Sequence, residues 1–214
     1  MPSAVIVPAS PALVPALSGR TPELDEVRAA AGSAVRDLVV GLTGRVVVVA
    51  DAPHGADETW TLDLRGYGLA GVPAGSRSLP VAYASAAWLL DEAGWDGPRT
   101  YVPPAAVELE DGDVVLVVAD GTACRSERAP GHLDARAEGI DARLAAALET
   151  ADLQVLAELD ETVVAELLIA GISALKWLRD TAAGRHVTAE LAYSGAPLGV
   201  GLWVARWAWD GPAD

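Results

Sequence analysis

The segment Arg45-Val-Val-Val-Val-Ala-Asp51-Ala-Pro-His54-Gly55 places an acid and a histidine directly after four valines. Four branched apolar residues in a row read as a strand covered on both faces. In open α/β sheets, ligands bind at the carboxyl ends of the strands, which is where Asp51 and His54 fall. Neutral imidazole and a carboxylate are ligands for a divalent metal. Two histidines and one carboxylate form the mononuclear Fe(II) site that leaves positions open for oxygen and substrate. Asp57 and Glu58 follow in the same loop. The alternative is a loop histidine hydrogen-bonded to backbone, a common role.

The remaining reactive residues are few. His132, in Ala129-Pro-Gly-His132-Leu-Asp134, and His186, after Gly184-Arg185, have no ligand spacing to another His or Cys and read as structural or exposed. Cys124 lies at the mouth of the strand Asp113–Ala119, in Asp120-Gly-Thr-Ala-Cys124-Arg125-Ser126, with no local base, and reads as a small apolar filler. No phosphate-binding glycine loop or Gly-x-Ser-x-Gly elbow is present. Glu166 falls opposite the apolar stripe Val164, Leu167, Leu168, Gly171, Ile172, Leu175 and Leu178, on a face holding Ile169, Ala170, Ser173 and Trp177. Either it is a buried carboxylate that needs a metal, cation or proton, or it is a solvated glutamate favoured by the helix dipole. Gly199 and Gly201, read in a strand, share a face and suggest close approach of a backbone or ligand.

The elements that position these residues follow from pattern. Ala4–Val7 is a short buried strand, and the prolines after it make an irregular loop. Thr21-Pro22-Glu23 opens a helix that runs to about Val40, with Leu24, Val27, Ala31, Val35, Leu38 and Val39 on one face. The valine strand 45–50 completes a β-α-β unit with parallel strands. Residues 55–80 read as an extended excursion with an edge strand at Trp60–Leu64, followed by a helix from Val81 to about Ala93. Turns fall at Asp96-Gly97-Pro98 and Pro103-Pro104. Helices then cover about 134–149 (with Ile140, Leu144, Ala147 and Leu148 as core), 153–159, and 161–181, the last capped by Asp160. Val187–Tyr193 and Leu198–Trp209 read as a terminal hairpin. The prediction is one α/β domain, residues 1–214, with a mainly parallel central sheet, helices on both faces and antiparallel C-terminal strands.

Composition excludes several function classes. Net charge is −15 and the sequence pI is near 4.4, a balance that repels phosphate backbones and argues against nucleic-acid binding. The mean hydropathy of +0.28 suits a sizeable core. Apolar runs fall short of the ~20 residues a membrane span needs. A single cysteine precludes an internal disulfide and suits a reducing compartment, and the N-terminus lacks the basic start of a signal peptide, so a cytoplasmic location is predicted. Arg outnumbers Lys by 14 to 1, read as codon bias of a GC-rich genome.

The order of these features resembles the superfamily of LigB-type, class III extradiol ring-cleavage dioxygenases and the related MEMO proteins. Pro8-Ala9-Ser10-Pro11-Ala12-Leu13-Val14-Pro15 is similar to that family's His-Pro-Pro-Leu-Leu-Val-Pro opening, and Ala52-Pro53-His54-Gly55 to its Ser-Pro-His-Gly. Gly121-Thr-Ala-Cys-Arg-Ser126 stands in the place of its Gly-Asp-Leu-Ser-His-Arg loop. Ala165-Glu166-Leu-Leu-Ile-Ala-Gly171 is similar to its later helix, and Tyr193-Ser-Gly-Ala-Pro-Leu-Gly-Val-Gly201 to its terminal Tyr-x-Gly-Pro-x-Gly-Val-Gly. The nearest likeness is to short actinobacterial LigB-like proteins with an Asp-Gly-Ser-Ala-Arg-Arg loop, here Asp120-Gly-Thr-Ala-Cys-Arg125.

Active members hold Fe(II) with two histidines and a glutamate and use a further histidine for protons. The resemblance places the second iron histidine at His54 and the glutamate at Glu166. It places the first iron histidine at Ala9, which cannot ligate, and the proton-handling histidine at Arg125; an arginine stays protonated near pH 7. The resemblance therefore implies a degenerate iron site, with no cofactor or with Fe(II) on the ancestral ligands. The pocket is Ala9, Asp51, His54, Asp120, Arg125 and Glu166, and Arg125 suits an anionic small ligand. The alternative is an active Fe(II)-dependent dioxygenase acting on a catecholic, aromatic substrate. Members of the family often form homodimers, and no stretch of this sequence identifies an interface.

Overall fold

Uninterrupted runs of branched apolar residues are satisfied only where both faces of a sheet are covered. The computed structural model of the chain, which describes residues 3–19, 21–63 and 77–210, brings three such runs together. They are β1 (Ser3–Val7), β2 (Val46–Val49) and β7 (Val114–Val118). With β3 (Ala56–Asp57), β6 (Arg99–Val102), β8 (Val187–Gly195) and β9 (Leu202–Trp209) they form one sheet in the order β3-β6-β2-β7-β1-β9-β8. β6, β2, β7 and β1 run parallel, while β3, β9 and β8 are antiparallel to their neighbours. The expected α/β class, its mainly parallel sheet and its antiparallel C-terminal hairpin are therefore present. A separate pair, β4 (Thr61–Leu62) with β5 (Ser78–Leu79), is all that forms of the expected strand at 60–64, and residue 64 lies outside the described residues.

Alternation along each strand sends successive side chains to opposite faces. A short helix, α1 (Pro15–Ser18), lies in the loop after β1, and Val5, Val7, Val46, Val48, Leu116 and Val118 pack beneath α2 (Asp25–Val39) and α3 (Ala84–Glu92). Ile6, Val47, Val49, Val115 and Val117 pack against α4 (Ala137–Thr150), α5 (Val155–Glu158) and α7 (Ile172–Ala182) on the other face. Trp203, Trp207 and Trp209 fill this second layer, where Trp207 Nε1 donates to the Leu148 carbonyl at 2.8 Å. A buried indole needs such an acceptor.

Four expectations are corrected. Arg99–Val102 is a strand where the sequence suggested only flanking turns; its mixed Arg-Thr-Tyr-Val composition hides a β2 neighbour. The helix begun at Thr21 starts as a 3-10 turn at Pro22–Leu24, and Thr21 makes no side-chain cap; its hydroxyl donates to the Ser18 carbonyl at 2.7 Å. The helix expected over 161–181 is two, α6 (Glu161–Glu166) and α7, separated by residues 167–171. Leu168 and Gly171 there have φ of 53° and 81°. The break arises because the chain must touch the end of β7. The Ala170 carbonyl accepts the Asp120 amide at 3.0 Å, and a Cβ on Gly171 would lie 2.5 Å from the Ala119 Cα. Gly199 and Gly201 precede β9 rather than sharing one of its faces. Asp160 does cap α6, accepting the Thr162 amide at 2.6 Å. Among the described residues, no helix is long and apolar enough to cross a membrane.

Candidate functional site

The carboxyl ends of β1, β2 and β7 open on one side of the sheet, and the loops leaving them carry most of the expected pocket. Directly after β7, the Asp120 carboxylate is buried and accepts the Ala9 amide from the loop after β1 at 2.7 Å. Burial pushes its carboxyl up to about 7, against opposing hydrogen bonds from the Ala9 and Ser10 backbones, and the nearby Asp141 carboxylate adds to the rise. Ala9 thus meets Asp120 through its backbone.

Asp141 was not anticipated. It lies on α4, is 4% exposed, and accepts hydrogen bonds from the Thr122 amide (2.8 Å), the Thr122 hydroxyl (3.0 Å) and Arg125 Nη1 (3.1 Å). Arg125 Nη2 also lies 3.4 Å from the exposed Glu138. Gly201 makes this network possible, since a Cβ there would stand 2.5 Å from Asp141 Oδ2. The close approach suggested by the paired glycines is therefore made by this chain's own side chains, Asp141 at Gly201 and Ser126 at Gly199. The sequence did hold a signal. Asp141 falls on the stripe Ala137, Asp141, Leu144, Ala145 and Leu148, all buried, at helical i, i+4, i+7, i+8 and i+11 spacing.

On the loop after β2, His54 is exposed. Its Nδ1 lies 3.1 Å from the Gly55 carbonyl, its ring centroid is 5.5 Å from that of Trp60, and its carbonyl accepts Tyr83 Oη at 3.3 Å. The Arg77 guanidinium sits 5.5 Å from the Trp60 ring, a cation–π distance. Asp51 turns elsewhere. Its two oxygens accept the Ser173 amide (3.2 Å) and the Ala174 amide (3.1 Å), satisfying unpaired donors in the first turn of α7 from a distant loop. Asp51→Ala is expected to cost about 1 kcal/mol, the usual value of a lost N-terminal cap. Faster amide exchange at Ser173 and Ala174 is the measurement that checks it.

Glu166 ends α6, is exposed, and pairs with Arg136 at 2.8 Å; Arg136 also holds Asp134 at 2.8 Å. Of its two sequence readings, the solvated one holds, and at the end of a short helix rather than the start of a long one. Cys124 is buried, and burial pushes its thiol pKa up, so it is no ready nucleophile. His132 and His186 are exposed, and His132 Nδ1 lies 3.3 Å from the Glu127 carbonyl.

The donor set does not suit the Fe(II) that the resemblance implies. Ala9 has no ligating atom in its side chain, and Glu166 is held in an ion pair. Among the described residues, no three of His, Cys, Asp and Glu gather where they could hold a metal. Clefts formed by the described residues do lie near these loops. Arg125 and Asp141 line one of about 220 Å3 with Ser194 and Trp203. Asp51 lines another of about 550 Å3, between α6 and α7. No protein-family model matches the chain, and no curated protein matches it.

Proposed function

We propose that the chain is a LigB-like protein in which ring-cleaving iron chemistry is lost and a small-ligand cleft remains at the carboxyl ends of the parallel strands. The observation that carries this reading is the state of Arg125. The residue at the proton-handling position of the resemblance is tied to Asp141 and Glu138, and so serves as an internal brace rather than a base. Ala9, at an iron-ligand position, contributes only a backbone donor, which Asp120 takes up. The buried lone cysteine and the net charge of −15 support a cytoplasmic protein that avoids nucleic acid.

Anaerobic Fe(II) loading followed by metal analysis, then oxygen uptake with catechol, tests the reading. The expected result is iron well below one per chain and no catechol-dependent uptake. Stoichiometric iron together with uptake abolished by His54→Ala would overturn it in favour of an active extradiol dioxygenase.

A further inference from the structure

The cleft between α6 and α7 has the make-up of a site for a small amphiphilic anion. Its volume of about 550 Å3 falls in the range of roughly 300–1,000 Å3 typical of small-molecule pockets. Val164, Leu168 and Ile172 supply an apolar wall, and Lys176, the chain's one lysine, lines the same space. Lys176 is half-buried and, among the described residues, makes no hydrogen bond or ion pair.

That vacancy is informative because acids are close by. Asp51 and Glu161 both line the cleft, yet among the described residues neither forms an ion pair with Lys176. Asp51 is already committed to the Ser173 and Ala174 amides. By contrast, Arg125, Arg136, Arg143 and Arg206 each hold a carboxylate. A lysine with its stem on an apolar wall and its ammonium unpaired can accept an anionic group from outside. The rim is also held in place. Leu168 has a left-handed φ of 53° and is 48% exposed, a conformation that is costly for leucine. The chain on either side of it is pinned, because the Leu167 carbonyl accepts the Ala123 amide at 2.9 Å and the Ala170 carbonyl accepts the Asp120 amide. Leu168 closes α6 in the left-handed conformation of a helix C-cap, where the Ile169 amide donates to the Val164 carbonyl at 3.0 Å, and this holds its exposed side chain at the rim of the cleft.

We propose that this cleft binds a small organic monocarboxylate with an apolar body, the carboxylate on Lys176 Nζ and the body against Val164, Leu168 and Ile172. The single ammonium matches one negative charge, and Asp51 and Glu161 at the same cleft would repel a dianion such as phosphate more strongly. The inference rests on the small-ligand reading above and gives it a ligand class and an anchor.

NMR titration of the full chain with hexanoate, hexan-1-ol and hexylamine tests it, following the amides of α6 and α7. Hexanoate is expected to give saturable shifts, with hexan-1-ol binding about tenfold weaker or more, the usual margin of a charge-assisted hydrogen bond. Lys176→Met should bring hexanoate down to the level of hexan-1-ol and leave hexan-1-ol unchanged. Ala165→Phe, at an exposed position lining the cleft, should abolish both. The proposal is overturned by hexanoate binding to Lys176→Met as it does to the parent chain, by tighter binding of hexylamine, or by no saturable hexanoate binding. These measurements use neither metal nor oxygen. Failure here removes only the carboxylate site, whereas iron-dependent oxygen uptake would remove only the proposed loss of catalysis.

Discussion

Asp141→Ala is expected to lower the folding free energy by about 3 kcal/mol, a large share of a typical domain's stability. The Asp141 carboxylate is the shared acceptor of a network with little access to water. Thr122, fully buried, donates both its amide and its hydroxyl to it. Leaving a buried donor unsatisfied costs about 1–3 kcal/mol. Breaking a buried ion pair costs about 3–5 kcal/mol, but Arg125 keeps 23% of its side chain in solvent and has Glu138 as a second partner, so its share is smaller. Asp141→Asn retains an acceptor for the Thr122 amide and loses the charge, and roughly half the effect should remain. Urea unfolding followed by circular dichroism and by tryptophan fluorescence reads both variants, because Trp203 packs at the edge of this network. A loss below about 1 kcal/mol for Asp141→Ala, the size of an average point substitution, would show that water replaces the carboxylate at little cost.

The chain is expected to become less stable as pH rises from about 4 to about 7, because of Asp120. Its carboxyl, pushed up to about 7 in the folded state by burial, has an ordinary value near 3.9 when the chain is unfolded. Between those values the folded state keeps a proton that the unfolded state has released, so stability falls with pH and levels off above about 7. That difference corresponds to at most roughly 4 kcal/mol. Asp57, Asp134 and Asp160 act in the opposite sense, since hydrogen bonds from Thr59, Arg136 and Thr162 respectively lower them below the usual carboxylate value. Their contribution is lost as pH falls below about 4, outside the window in which Asp120 titrates. Asp120→Asn can still accept the Ala9 amide and carries no charge. It is expected to match the parent chain near pH 4, to exceed it at pH 8, and to remove the decline between. Equal pH profiles for the two chains would mean that Asp120 is ionised throughout that range at no cost.

How much of this was legible in the sequence depended on what each residue packs against. The strands at Val46–Val49 and Val114–Val118 announce themselves because burial on both faces demands uninterrupted apolar residues. Arg99–Val102 does not, since only Tyr101 along it is fully buried. The break between α6 and α7 was hidden because apolar residues at helical spacing continue through it, although Leu168 on that stripe is exposed and Ile169 from the opposite face is buried once the backbone leaves the helix. The face expected for Glu166 is lost with that helix, since Glu166 is the last residue of α6. Of the candidate pocket, Asp51, His54 and Asp120 were placed at strand ends by pattern alone, which is where they stand. Their partners were not legible, because an amide 122 residues away at Ser173 leaves no local trace at Asp51. Asp141 carries no motif, yet its position on the buried stripe of α4 follows from helical spacing alone.

The position of β1 bears on how the chain comes to fold. Its neighbours are β7 and β9, with Val5 opposite Leu116 on one side and Ser3 opposite Ala208 on the other. β1 therefore leaves the ribosome well before either of the strands that pair with it, β7 and β9. Contacts so distant in sequence slow folding and prolong exposure of apolar edges. For this molecule, α2 can shield Val5 and Val7 early, but the backbone edges of residues 4–7 stay unpaired until β7 and β9 have been made, which leaves a nascent strand open to pairing with another chain.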